Sequence, residues 1–343
     1  MDTDIALILL QDGVVNGAVY ALLALSLVLV FAITRVILIP VGEFVAFGAL
    51  TYAALTAGHV PGSVWLLGAL GGGAAVAGLV AARHTLTRRG VALLAVETLV
   101  VPAVIIGVVL IVAPLRPGVV ASALLSLAVV TPMAPYLYRL AFQPLAEASV
   151  LVLLIAAVGV HLALVGLGLV FFGPEGFRGD PLSDARLMLG GQSVPGQAVA
   201  IVGLAAALMA GLSLFFGRTL AGKALRAVAV NRLGARLVGI SAGGAGRVAF
   251  LLAGGISALC GVLISPLTTV YYDSGFLVGL KGFVAAIVGG LASYPLAVAA
   301  ALLVGCVESV SSFYASAFKE VIVFTVIIPV LLWRSFRSPA EHE

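Results

Sequence analysis

Apolar runs of about 20 residues recur along the whole chain, and this feature restricts the possible folds more than any other. Hydrophobic residues make up 62% of the 343 residues and charged residues only 9%. A soluble domain carries about 25% charged residues, so this chain has too few charges to cover a surface that faces water. The sequence therefore predicts an all-α polytopic membrane protein whose surface is largely covered by the lipid bilayer.

The apolar stretches define the candidate membrane spans. They are residues 14–33, 38–55, 63–82, 91–113, 118–138, 149–172, 197–216, 248–264, 277–291, 296–312 and 321–333. Proline and glycine interrupt several of them, so we expect about nine to eleven transmembrane or re-entrant helices in a single domain over residues 1–343. The acidic start lacks the basic region of a signal peptide, and the first span is expected to stay in the protein. The longest loop predicted on the outer side, residues 173–196, is expected to be irregular or to form a short surface helix.

The distribution of basic residues predicts the orientation of these spans. Thirteen of the 18 Lys and Arg residues fall on one side of the predicted path: Arg35, Arg83, Arg88, Arg89, Arg139, Arg218, Lys223, Arg226, Arg232, Arg236, Arg247, Arg334 and Arg337. Four fall on the other side, namely Arg116, Arg178, Arg186 and Lys319, and Lys281 lies within a span. Because Lys and Arg resist translocation, the first side is predicted to be cytoplasmic, with the N-terminus outside and the C-terminus inside. We therefore interpret the basic residues as a topology signal and expect no nucleic-acid partner.

Residues 217–247 form a basic segment between two spans and contain no acidic residue. Its start, GRTLAGKA, resembles the phosphate-binding pattern G-x-x-x-x-G-K-[ST], but Ala224 replaces the hydroxyl residue and a membrane span precedes it. We expect no nucleotide or Mg²⁺ to be bound here. Leu225, Val228, Ala229 and Leu237 can share the apolar face of one or two short helices, with Arg226, Arg232 and Arg236 directed to water or a partner. The spacing is compatible with either a solvated loop or a docking helix.

A few ionisable residues lie within apolar stretches, where such groups mark functional sites. Glu43 follows a break at Pro40 and Gly42, and it is either a helix cap at the membrane interface or a polar group of a transport path. Lys281 and Glu308 flank a second break at Ser293 and Tyr294, and they either pair with each other or line the path. The candidate path residues are therefore Glu43, Lys281, Ser293, Tyr294 and Glu308.

Other embedded polar residues favour structural interpretations. Glu97 is expected to reach the interface or to pair with Arg88 or Arg89, and His161 to be a packed polar residue. Cys260 and Cys306 lie in apolar runs and are expected to be core residues, not a disulfide or a metal site. Paired catalytic groups at membrane depth are lacking, so an intramembrane enzyme is disfavoured, and no catalytic residue is predicted. An ion-coupled secondary transporter remains an alternative, although it would require clustered acids within the spans.

The basic segment also carries a family resemblance. Its run GKALRAVAVNRLGARLVGI, residues 222–240, resembles the cytoplasmic coupling segment of permeases in bacterial branched-chain amino acid ABC transporters, of the hydrophobic amino acid uptake type. Further stretches resemble other parts of that family in the same order: NGAVYALLALSLVLVF, VGEFVAFGAL, LYRLAFQPL, LLIAAVGV and GLKGFVAAIVGGLASYPLAVAAALLVGCVES.

The resemblance implies a permease subunit in a bacterial inner membrane that imports branched-chain or other amino acids. Implied partners are two cytoplasmic ATPase subunits, which use ATP and Mg²⁺, a second permease and a periplasmic binding protein; this chain itself would bind no cofactor. The implied contacts to the ATPase are Lys223, Leu225, Arg226, Asn231, Arg232, Ala235, Arg236, Gly239 and Ile240.

The sequence departs from the family pattern at three places. The family often has Asn-Phe-Ala-His-Gly-Glu where this chain has IPVGE, so only Gly42 and Glu43 correspond. Leu233 and Gly234 stand where acidic or alanine residues are common. Residues 88–138 resemble an inserted hairpin of two spans, because the family usually continues directly to its equivalent of LYRLAFQPL. These departures leave the transported substrate open.

Overall fold

The computed structural model describes residues 3–82, 87–189, 192–291, 293–325, 328–330 and 332. Helices dominate this part of the chain. They are α1 (Thr3–Thr34), α2 (Val41–Thr56), α3 (Ser63–Ala82), α4 (Arg88–Ala95), α5 (Val101–Val112), α6 (Val119–Val130), α7 (Met133–Leu137), α8 (Val150–Phe172), α9 (Gly196–Arg218), α10 (Leu220–Val230), α11 (Arg232–Leu237), α12 (Ala242–Ile264), α13 (Ser274–Val288), α14 (Tyr294–Tyr314) and α15 (Lys319–Thr325). A π-helical turn, Val96–Val100, joins α4 to α5, and a second, Tyr138–Phe142, continues α7.

The helices confirm the predicted membrane fold. Within the described residues, eight helical segments are long and apolar enough to cross a membrane, and α2 and α13 are two shorter apolar helices. Together they agree with the predicted nine to eleven. Only the first part of the last predicted span, residues 321–333, is described as the helix α15, and Arg83, Arg334 and Arg337 lie outside the described residues.

The helix α1 is the centre of the bundle. It packs against α9, α12, α13 and α14, most extensively against α14. In its most apolar 18-residue stretch, 89% is buried. Small residues permit this contact, because a Cβ atom at Gly13 would lie 2.8 Å from the Cα atom of Cys306. In the most apolar 18-residue stretch of α9, by contrast, only 11% is buried. Most of the surface of α9 is therefore left for lipid or a partner.

The loop after α8 contains a β-hairpin. Strands β1 (Arg186–Leu189) and β2 (Gln192–Pro195) pair antiparallel, with Leu187 opposite Val194. The prediction of irregular structure holds for residues 173–185, but it was wrong for the rest of the loop, where the hairpin forms. The Gly190-Gly191 dipeptide in the sequence is a hairpin signal, because glycine tolerates the positive φ angles of two-residue turns.

Contacts among loops distinguish the two ends of the bundle. At one end, Phe177 pairs with Val270, and Arg178 Nε donates to the carbonyl oxygen of Pro266 at 2.9 Å. At the other end, Arg232 of α11 reaches the turn before α8, donating to the carbonyl oxygen of Ala146 at 3.0 Å. We call this second end the basic end, because it collects the segment 217–247 and Arg139.

Candidate coupling surface and translocation groove

The basic segment folds into the two helices α10 and α11, and each has its own N-cap. The hydroxyl of Thr219 accepts the amide of Gly222 at 3.0 Å, and the side-chain oxygen of Asn231 accepts the amide of Gly234 at 2.8 Å. Asn231 is extended and separates the two helices. Asn231, one of the predicted coupling residues, therefore orients α11 by capping it.

The segment is seated by a small apolar face. Leu225 and Val228 are buried and Ala229 is half-buried, as their spacing predicts. Ala235, which the resemblance implied as an ATPase contact, is also buried. Leu237 was predicted to share this face, but its side chain is 81% exposed. The prediction for Leu237 was wrong because α11 is a separate helix after Asn231, so the periodicity of α10 does not continue into it.

The basic residues of the segment have different environments. Lys223 and Arg226 are exposed. Arg232 was predicted to face water or a partner, but it is half-buried and donates to Ala146 of its own chain. Both terminal nitrogens of Arg236 lie 3.5 Å from Glu147 Oε1. Arg232 and Arg236 therefore hold α11 against the turn before α8.

Exposed apolar side chains follow the buried face along the segment. We define the coupling patch as Val230, Leu233, Leu237 and Val238, whose exposed fractions are 88%, 69%, 81% and 75%. Leu233 and Leu237 lie one turn apart on α11, so they share a face. Just beyond the patch, Gly239 takes φ +85° and the amide of Ile240 donates to Ala235, which ends α11. Apolar groups clustered at a polar end of the molecule indicate a protein contact.

Lys281 lies at the centre of a buried ionic cluster. Its Nζ atom is 2.5 Å from Glu308 Oε1 and 3.1 Å from Glu320 Oε1, and the hydroxyl of Tyr20 donates to Glu308 Oε2. The predicted pairing of Lys281 with Glu308 is confirmed. Glu320 and Tyr20 were not predicted as partners, because they come from the two opposite regions of the chain.

Glu43 forms a second buried pair. Its Oε1 atom lies 2.7 Å from His161 Nδ1, and Glu43 itself is only 1% exposed. The interpretation of Glu43 as a helix cap at the interface was wrong, since α8 covers this carboxylate. The ring of His161 also packs on Phe276, with 4.6 Å between centroids. Glu43 Oε2 is buried without a hydrogen-bond partner in the described part of the chain.

Glu97 joins the hairpin of α4–α6 to the basic end. Its Oε2 atom lies 3.2 Å from Arg139 Nη2 and 3.3 Å from Arg247 Nη1. The sequence predicted the interface or a pair with Arg88 or Arg89. The actual partners come from segments 42 and 150 residues away in the chain. The ion-pair partners of Glu97 could therefore not be predicted from its neighbours along the same helix.

Two separate cavities are each lined by residues of α1, α9 and α14. The first has a volume of about 400 Å³, lies towards the basic end and contains Arg226, Tyr294 and Phe216 in its lining. The second has about 570 Å³, lies towards the other end and includes Asp12, Asn16, Glu308 and Lys319. We call these two cavities together the α9–α14 groove.

Some of the predicted path residues line the groove, and others lie elsewhere. Tyr294 and Glu308 line its two cavities, and Lys281 contacts Glu308 from behind. Ser293 precedes α14 at the start of the groove. Glu43 is separate, because its partner is on α8. Arg226 is the connection that the sequence did not reveal: a predicted coupling residue shares a cavity with the predicted path residue Tyr294.

Comparison with known proteins identifies the family of the chain. The family described as "Branched-chain amino acid transport system / permease component" matches residues 85–331, well over half of the chain. The chain is 29% identical over 203 residues to the high-affinity branched-chain amino acid transport system permease protein BraD of Pseudomonas aeruginosa, covering 57% of this chain and 66% of BraD.

The permease proteins named LivH of Salmonella typhimurium and Escherichia coli are each 30% identical over 202 residues, covering 57% of this chain and 65% of LivH. The chain thus spans slightly less than two thirds of the length of these relatives. The match to the family as a whole is the broader one, and it includes residues 217–247, Lys281 with Glu308 and Glu320, and the α9 and α14 residues of the α9–α14 groove, but not Tyr20 or the rest of α1. The chain belongs to the family of permease components of branched-chain amino acid transport systems.

Proposed function

We propose that this chain is the membrane permease subunit of an ATP-driven importer for branched-chain or other amino acids. The observation that carries this proposal is the coupling patch, which presents apolar side chains at the basic end, next to Lys223 and Arg226. Its relatives are named as permeases of branched-chain amino acid transport. In this proposal, the ATP and Mg²⁺ are bound by separate cytoplasmic ATPase subunits.

The coupling patch is the proposed contact for one ATPase subunit. An apolar centre with a charged rim is the usual anatomy of a specific interface. Because α11 is tied to the turn before α8 through Arg232 and Arg236, a force on the patch would reach the membrane helices as a rigid-body movement. Leu225 and Val228 anchor α10 in the same way from its buried face.

The α9–α14 groove is the proposed wall of the translocation path. A second, related permease would cover it, since α9 leaves most of its surface free within the described structure. Arg226 and Tyr294 share the cavity at the basic end, so a movement of α10 would change the shape of that cavity. A periplasmic binding protein would deliver substrate at the opposite end, where the β-hairpin lies.

The test is a pull-down of purified full-length protein against the cytoplasmic ABC-type ATPase subunits of the same organism, comparing wild type with Leu233→Ser plus Leu237→Ser. Both residues are exposed, so the double variant should fold normally. Met188→Ser is the matched control, because Met188 is 77% exposed at the other end of the molecule. Substituting Arg232 or Arg236 would be less informative, since both hold α11 in place.

We expect the double variant to lose ATPase binding by at least about tenfold, as interface anchors commonly contribute more than 1 kcal/mol each. Met188→Ser should bind as wild type does. If wild type captures no ATPase, an ion-coupled transporter becomes the better explanation. If all three proteins capture it equally, the coupling patch is not the contact.

A further inference from the structure

A third cavity lies at the basic end, between α3 and the start of the hairpin of α4–α6. Its volume is about 520 Å³, and its charged lining residues are Glu97, Arg139 and Arg247. Gln143 and Gly90 complete its polar part. Neither the coupling patch nor the α9–α14 groove includes any of these residues, so the proposed transport function leaves the cavity unexplained.

The charges of this cavity do not cancel. One carboxylate, Glu97, serves two guanidinium groups, Arg139 and Arg247, through the same oxygen. Arg139 Nη1 is buried and has no hydrogen-bond partner among the residues that the structure describes. The lining therefore carries one excess positive charge and an unused donor, which together match an anionic ligand.

The beginning of α4 adds to this positive potential. Gly90 lies in its first turn and lines the cavity, and its amide donates to the Thr87 hydroxyl that caps the helix at 3.2 Å. Arg88 and Arg89 in the same turn are exposed. The N-terminus of a helix favours an anion, and here it supplements two lining arginines.

The remaining wall is apolar. It includes Ala77, Ala81 and Leu93, and Leu93 is 70% exposed. The helices on either side are α3 and the segment Arg88–Leu115. Only 33% and 22% of their most apolar 18-residue stretches are buried. A ligand here would meet positive charge on one side and hydrocarbon on the other, which excludes a purely water-soluble anion as the best match.

We propose that this cavity binds the headgroup of an anionic phospholipid from the leaflet at the basic end. The phosphate would be held by Arg139 and Arg247, and an acyl chain would lie along Leu93 and Ala81. Basic pockets between membrane helices bind anionic headgroups in this way.

The position of the cavity gives the lipid a means to affect coupling. Arg247 lies in the second turn of α12 and is the last residue of the basic segment 217–247. Arg139 belongs to the turn whose following residues, Ala146 and Glu147, hold α11. A bound headgroup would therefore stabilise the base on which the coupling segment rests.

The test measures binding of phosphatidylglycerol to the delipidated, full-length protein by native mass spectrometry, with phosphatidylcholine as the neutral lipid. We expect phosphatidylglycerol to be preferred. Arg247→Gln should weaken its binding about fivefold, the effect of one basic residue on an anionic headgroup. Glu97→Gln removes the competing carboxylate and should strengthen binding by a similar factor. Arg116→Gln, at the opposite tip of the same hairpin, should change nothing.

The two lining variants predict opposite signs, so a general loss of folding cannot imitate the result. Equal retention of both lipids, or the same direction of change in Arg247→Gln and Glu97→Gln, would overturn the proposal. Inorganic phosphate provides the last arm: if it displaces the lipid at the affinity of the lipid itself, the site binds free phosphate instead. The measurement needs no ATPase or substrate, so it can fail while the proposed transport function stands.

Discussion

Lys281 illustrates how single charged residues are accommodated inside this bundle. A charge within a membrane protein is costly unless it is paired, and breaking such a pair leaves an uncompensated charge behind. Here Lys281 is 5% exposed and contacts Glu308 and Glu320, while Tyr20 donates a hydrogen bond to Glu308. The cluster therefore connects α1, α13, α14 and α15 through one cation.

Replacing this cation should strongly destabilise the protein. We expect Lys281→Met to lower the free energy of unfolding by about 3–5 kcal/mol, because Glu308 would remain buried without its cation. Lys223→Met, at an exposed position of α10, should change it by less than about 0.5 kcal/mol. Denaturant unfolding in detergent measures both. The double variant Lys281→Met plus Glu308→Gln should regain part of the loss, and an unchanged stability of Lys281→Met would contradict the structural role of the cluster.

The pair of Glu43 and His161 shows the same principle with only two residues. Glu43 lies in the first turn of α2, where the helix dipole favours a carboxylate, and His161 comes from the middle of α8. The sequence presented each as an isolated polar residue. Only the packing of α8 against α2 makes them partners.

At the scale of elements, the contact between α2 and α13 depends on two facing glycines. A Cβ atom at Gly42 would overlap the carbonyl oxygen of Gly275, and one at Gly275 would overlap the carbonyl oxygen of Gly42. The backbones of these two helices therefore approach as closely as small residues allow.

A single methyl group should disturb this contact. We expect Gly42→Ala to destabilise the protein by about 1–3 kcal/mol, the usual cost of overpacking. Gly203→Ala is the matched control, since a Cβ atom on that part of α9 would have no neighbour within 4 Å. Alanine has the higher helix propensity, so the control should be at least as stable as wild type. Thermal unfolding of the two variants side by side measures the difference; equal changes of stability in Gly42→Ala and Gly203→Ala would contradict a special role of the close contact at Gly42.

At the scale of the whole molecule, the described loops divide between two ends of the bundle. The coupling segment and Arg139 lie at the basic end, whereas the β-hairpin and the loop containing Val270 lie at the other. Orientation across a membrane follows from the placement of Lys and Arg, so the basic end is expected to face the cytoplasm.

Cysteine labelling tests this orientation. With Cys260 and Cys306 replaced by alanine, we expect Met188→Cys to react with a membrane-impermeant maleimide in intact cells. Leu237→Cys should react only after permeabilisation, although both side chains are similarly exposed, at 77% and 81%. The protein is expressed without ATPase subunits, because these would cover Leu237 in the proposed complex. The two positions then differ in sidedness, and the opposite pattern of labelling would invert the topology.

Much of the fold could be predicted because membrane helices follow local rules. Length and apolarity locate α1, α3, α8, α9, α12 and α14, and proline and glycine mark the break before α14. The β-hairpin was missed because four-residue strands have little periodicity. Leu237 was misplaced because a one-residue cap at Asn231 ends the regular pattern of α10.

The candidate site was predictable only in part. The sequence alone determines that this chain lies in a membrane, that residues 217–247 form a basic helical segment, and that Lys281 and Glu308 need partners. The tertiary structure decided that Arg232 supports its own chain, that Glu43 belongs to His161, and that Glu97 joins Arg139 to Arg247. Composition and periodicity indicate which segments, and which faces of a helix, lie in lipid, in water or in the protein interior. Ion pairs and cavities arise between segments far apart in the chain, and their geometry exists only once the helices have packed.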